Sequence, residues 1–178
     1  MNKSLITVPS CLFALAHASF GAGAEVMKVS TVLENPLALN GHMIQVRGYV
    51  QTGFETFAIA DLPTEEGIWI QYPERVQPSP GFDLNRDREF RQMIKGFPHW
   101  KAPKTCTDVV ATLFGRIDAV EKAGVMRDSN GKIVGVQGFG HLNLYRVRLV
   151  LHSVSNVVTE RHPCNVSADH EASHARQP

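Results

Sequence analysis

No G-x-S-x-G nucleophile elbow occurs in this sequence, and no glycine-rich phosphate loop leads into a helix. The one run of close glycines, GVQGFGH, enters a strand pattern, so it lacks the helix N-terminus that a phosphate needs and reads as a flexible turn. Excess charge of one sign is missing as well. The 18 basic residues nearly balance 17 acidic ones, and losing Lys3 with a leader would make them equal. A balanced chain has no electrostatic footprint for nucleic acid or an acidic membrane surface, and no cofactor is expected from any motif. Cysteine is scarce, with three residues in 178.

What is present starts at the N-terminus. Lys3 is the only charge before Glu25, and the apolar stretch between them is broken by Pro9 and ends in small residues at Ala22, Gly23 and Ala24. That is the pattern of a secretory signal peptide over residues 1–24, cut after Ala24. A membrane span would want about 20 uninterrupted apolar residues, and Pro9, Ser10, His17 and Ser19 interrupt this one. Acylation at Cys11 is disfavoured, because Val8, Pro9 and Ser10 make a poor lipoprotein box. The expected location is therefore periplasmic or secreted. Export leaves Cys106 and Cys164 as a pair in an oxidising compartment, where a disulfide is the default and two structural thiols the alternative.

Residues 25–158 carry the pattern of one mostly β domain. Ser30 can cap a short helical turn that Pro36 ends, and Asn40-Gly41 forms a tight turn. MIQVRGYVQT then alternates, with Ile44, Val46 and Val50 on one face and Gln45, Arg47 and Gln51 on the other. Gly48 within it marks a bend, bulge or close approach. FETFAIAD and GIWIQY continue a meander, in which Trp69 either stacks on a ligand or covers a barrel end. After a proline-rich connection, DLNRDREFRQMIKGF predicts one helix. Its stripe is Phe90, Met93, Ile94 and Phe97, with Asp83 or Asn85 at the start and Gly96 at the end. TDVVATLFGRIDAV is a long strand interrupted by Gly115, residues 124–139 are an excursion with a turn at Ser129-Asn130-Gly131, and HLNLYRVRLVLHSVSNV is the last strand. Residues 159–178 have almost no large apolar side chain and are expected to form a polar, disordered tail.

Five strands with one helix between the third and fourth predict a mainly β fold, a small OB-like barrel. The order of a short helical turn, NPLALNGHMIQVRGYV, ATLFGRID and GHLNLYRVRLVLHSV resembles small exported bacterial proteins with an OB-like domain, many of them of unassigned activity. The likeness spans about residues 27–157. The insert around 74–104 and the excursion around 124–139 depart from the compact form, and no ligand residues carry over.

The candidate ligand-binding residues are Trp69 and three arginines, Arg116, Arg146 and Arg148. Guanidinium groups on adjacent strands can grip a carboxylate or phosphate, unless Asp118 and Glu121 neutralise them. His162, His170 and His174 could hold a transition metal in the tail, or be merely polar. His42, His141 and Asp61 could assemble a small dispersed, hydrolase-like site, although two imidazoles alone do not make a closed zinc site. The reading that composition and fold favour is a non-enzymatic envelope binding or interaction module. Its partner would be a protein, peptide or glycan, with no nucleic acid and no membrane span after cleavage of the leader.

Overall fold

The computed structural model describes residues 25–53, 55–76, 82–97 and 105–163. Residues 1–24 with Cys11, residues 164–178 with Cys164, His170 and His174, and Phe54 lie outside the described residues. The described residues form eight strands and two α-helices. They are β1 (Val26–Lys28), α1 (Val29–Glu34), β2 (Met43–Thr52), β3 (Phe57–Ala60), β4 (Ile68–Gln71), α2 (Arg88–Gly96), β5 (Thr105–Ala119), β6 (Gly124–Arg127), β7 (Ile133–Gln137) and β8 (Val147–Pro163).

Five of these close into a barrel. β2 pairs antiparallel with β3, β3 with β4, β4 parallel with β8, β8 antiparallel with β5, and β5 antiparallel with β2. With α2 between the third and fourth barrel strands, this is the OB-like arrangement that the sequence predicts, and the chain is mainly β. Closure runs through Met43↔Arg116 to Tyr49↔Val110. Such closure requires β2 and β5 to coil around their neighbours. The mid-strand glycines permit it: a Cβ on Gly48 would stand 2.3 Å from the Ala60 carbonyl oxygen, and one on Gly115 2.3 Å from that of Val150.

Period-2 alternation sends Ile44, Val46 and Val50 inward from β2, and Ile68 and Ile70 inward from β4. Val109, Ala111, Leu113 and Ile117 from β5 meet them, with Val147, Leu149 and Leu151 from β8. α2 joins this core through Met93, which is fully buried. The rest of its expected stripe divides: Phe90 and Phe97 are half-buried, whereas Ile94 is exposed. Asp87, not Asp83 or Asn85, caps α2, accepting the Phe90 N–H at 3.0 Å. Asn85 is occupied elsewhere, its amide N–H donating to the His152 carbonyl at 2.7 Å. The start of α1 is likewise capped from a distance. Asp61 accepts the amide N–H groups of Val29 and Ser30, each at 2.8 Å, so Ser30 is not the cap.

Three boundaries differ from the sequence reading. β1, unanticipated, adds a parallel strand beside β2. The last strand begins at Val147, because His141–Asn143 forms a 3-10 turn with Leu142 and Asn143 in left-handed conformations. It then continues past Val158 to Pro163, paired with β5 back to Thr105. There the β5 ladder satisfies the backbone, and apolar burial is not required. β6 and β7 make a separate hairpin, paired only with each other and exposing Val125, Ile133, Val134 and Val136. No described helix is long and apolar enough to cross a membrane.

Candidate functional site

The three candidate arginines do not form an open cluster. Arg116 and Arg148 converge on one carboxylate: Arg116 Nε lies 2.8 Å from Asp118 Oδ1, and Arg148 Nε 2.9 Å from Asp118 Oδ2. The Asp118 side chain is only 18% exposed, so these are charge-assisted bonds in a partly dry setting rather than loose surface pairs. Burial works to raise the Asp118 carboxyl, but the hydrogen bonds and charges of Arg116 and Arg148 outweigh it and hold the group below the usual carboxylate range. Stacking adds to the clamp, with the Arg148 guanidinium 4.6 Å from the Phe139 ring and that of Arg116 5.7 Å from Phe82. Arg146 turns away, donating to the Leu33 carbonyl at the end of α1. Neutralisation by Asp118, the alternative weighed from sequence, is the arrangement found.

Trp69 sits beside this clamp, opposite Arg148 in the β4–β8 ladder. Its ring packs on Tyr145, with centroids 5.3 Å apart, and its indole N–H donates to Gln71 Oε1 at 3.3 Å. Gly140 lies directly against it. A Cβ there would come within 2.6 Å of Trp69 Cε3, and the backbone stands at φ +72°. One residue on, His141 Nε2 meets Glu55 Oε2 at 2.7 Å, tying the turn before β8 to the loop between β2 and β3.

These two loops frame an open cleft of about 570 Å³ over the outer face of β3 and β4. Trp69, Gln71 and Thr56 line it, with Glu55 and Arg75 at its edges. Towards α2 it is walled by an aromatic chain in which Phe57 lies 5.3 Å from Tyr72, and Tyr72 6.2 Å from Phe90. Burial raises the Tyr72 hydroxyl above its ordinary range, so it remains a neutral donor. The cleft therefore presents an aromatic edge, an amide, hydroxyls and one charge of each sign, a set suited to binding and positioning. Sequence reasoning found Trp69 but missed Glu55, Gln71, Arg75 and Gly140. The glycines of GVQGFGH were the available signal, since one of them is needed for the backbone to approach Trp69.

The other candidates remain apart. His141 pairs with Glu55, after the end of β2, while His42 precedes its start, so a ten-residue strand separates them. Asp61 has both carboxylate oxygens on α1 amides, which hold it below its usual range even though burial pushes the other way. The trio His42, His141 and Asp61 is not assembled. His162 Nε2 lies 3.3 Å from Asp108, and no group of three metal-ligating side chains occurs among the described residues. Cys106 stands opposite His162 in the β5–β8 ladder, two residues short of where Cys164 follows in sequence. No protein-family model, curated protein or solved structure matches this chain.

Proposed function

We propose that this chain is a non-enzymatic binding module of the bacterial envelope that takes a glycan or peptide in the cleft beside Trp69. The observation that carries the reading is the His141–Glu55 contact, which draws the two loops together over the Trp69–Gln71 face. Those are the loops and strands through which OB barrels commonly bind extended ligands. An aromatic ring next to an amide and hydroxyls suits the apolar face and polar rim of a sugar, or a peptide side chain with its flanking backbone. Balanced charge argues against nucleic acid.

The location is part of the same reading. A leader ending at Ala24 would deliver the chain to the periplasm or outside the cell, as in the small exported bacterial proteins it resembles. A disulfide between Cys106 and Cys164 would then tie the tail to β5. In its support, Cys106 is not a free thiol, and Cys164 is the only other cysteine outside the leader.

Glycan and peptide arrays probed with the mature protein and with Trp69→Ala test the proposal. Retention of a defined ligand class, weakened roughly tenfold or more by Trp69→Ala, is the expected result. No retention on either array, or equal retention by the variant, would overturn it.

A further inference from the structure

The sequence candidates for anion binding, Arg116 and Arg148, are consumed by Asp118, but Arg47 at the centre of β2 is not. It is half-buried on the outer face of the barrel. Its Nη1 donates to two neutral acceptors, Thr112 Oγ1 and the Asn156 carbonyl, both at 3.1 Å. Nε and Nη2 have no protein acceptor among the described residues, and none of the ion pairs there includes Arg47. The side that remains is the guanidinium's forked edge, whose two parallel N–H groups match a carboxylate.

The holder is built with care. Thr112 is 1% exposed, the sole buried polar side chain among the described residues. Asn156 stands at φ +51°, a left-handed conformation that costs strain in a non-glycine residue and turns its carbonyl onto the guanidinium. It falls where the β5–β8 register shifts, next to Thr112↔Ser155. A strained residue and a buried hydroxyl thus fix the direction of a cation whose better edge is unused.

Arg47 borders concave surface. Two open clefts, about 790 and 630 Å³, meet at Val26 and Arg47 and share no lining residue with the cleft beside Trp69. Their walls include Val157 and Val158 on one side and Met27, Tyr49 and Leu62 on the other. Lys28 stands opposite Arg47 in the β1–β2 ladder, adding a second positive charge. The carboxylates in the region are Asp61, Glu65 and Glu89. Asp61 is engaged by α1, and Glu89 accepts the Val157 amide at 3.1 Å.

We propose that Arg47 is the anchor of a second binding site, one that takes a carboxylate carried on an apolar chain lying across β1, β2 and β5. A free phosphate is the poorer match. The site offers a single bidentate edge within mostly apolar walls, which suits a flat monoanion with an apolar body.

Titration of the ¹⁵N-labelled mature protein with small probes decides the matter. N-acetyl-Val-Val with a free C-terminus should shift the Arg47 Nε–Hε and Asn156 amide signals saturably, and its C-terminal amide should not. Octanoate in a parallel arm separates an acyl from a peptidyl source: a response to either acid supports the site and names the source. Arg47→Gln should abolish the Asn156 shift. Arg47→Lys, which keeps the charge but loses the fork, should weaken binding roughly tenfold while the protein stays folded. Equal shifts with acid and amide, silence with both acids, undiminished binding by Arg47→Lys, or tighter binding of inorganic phosphate than of either acid would each overturn the proposal. None of these outcomes depends on the Trp69 cleft.

Discussion

Asp118 accepts Arg148 Nε at 2.9 Å across the β5–β8 ladder, while its other oxygen receives Arg116 Nε from its own strand. One carboxylate thereby holds two guanidinium groups on the outer face of the barrel. Removing it would take from two partly buried cations the carboxylate they share, so Asp118→Ala should destabilise the fold by roughly 2–4 kcal/mol in chemical denaturation. A loss below about 0.5 kcal/mol would mean that the pairs act as exposed surface bridges.

The same group sets an acid limit. Asp118 and Asp61 both titrate below the ordinary carboxylate value in the folded protein. Their stabilisation is complete above the unfolded-state pKa of about 4 and is lost as pH falls from there through the depressed folded values. Melting temperature should therefore be flat in these two groups above about pH 5 and fall steeply below about pH 4. Asp118→Asn should flatten part of that fall and leave the share due to Asp61. An unchanged slope in the variant would contradict the role given to Asp118.

Gly115→Ala should be among the most damaging single-methyl additions in the chain. The new Cβ would stand 2.3 Å from the Val150 carbonyl oxygen, a backbone atom in the wall of the closed barrel. A loss of roughly 3 kcal/mol or more, or failure to fold, is expected. Gly131→Ala meets nothing within 4 Å and has only its φ of +78° against it, so about 1 kcal/mol is expected there. Comparable losses at both positions would mean that the close approach at Gly115 relaxes freely.

The β6–β7 hairpin should be dispensable for folding. Its strands pair only with each other, and several of its apolar side chains face solvent. Replacing residues 124–137 with a short Gly-Ser turn should shift the melting temperature by only a few degrees, since few packed groups are lost. Collapse of the barrel on excision would show that the hairpin supports it.

Export and the cysteine pair are open to one preparation. N-terminal sequencing of periplasmically produced protein should begin at Glu25, and non-reducing electrophoresis should show faster migration than the reduced form. Reduction should cost about 4 kcal/mol by the chain-entropy relation for a loop of this length. Two titratable thiols in the oxidised preparation would refute the bond.

Much of the barrel could be read from the chain because strand faces follow a local rule. A strand half buried must alternate, and β2 and β4 do so residue by residue, while β5 does so except where Thr112 is buried between Ala111 and Leu113. β1 escaped notice because three residues are too few for a period. The extension of β8 past Val158 escaped because its partner ladder, not its own side chains, stabilises it. Trp69 was legible as an aromatic on the polar face. The loops that make a cleft around it were not, since Glu55 and His141 are 86 positions apart and meet only across the closed barrel.

By itself, then, the sequence determined the five barrel strands, α2, their order and which side chains point inward, all consequences of short-range periodicity and of glycines placed where strands cross. Only the tertiary structure decided what the outward polar groups do. It assigned Asp61 to the N-terminus of α1, set Asp118 between Arg116 and Arg148, and left the forked edge of Arg47 without an acceptor among the described residues. Charge pairing depends on distances of about 3 Å between strands remote in sequence, and those distances exist only once the barrel has closed.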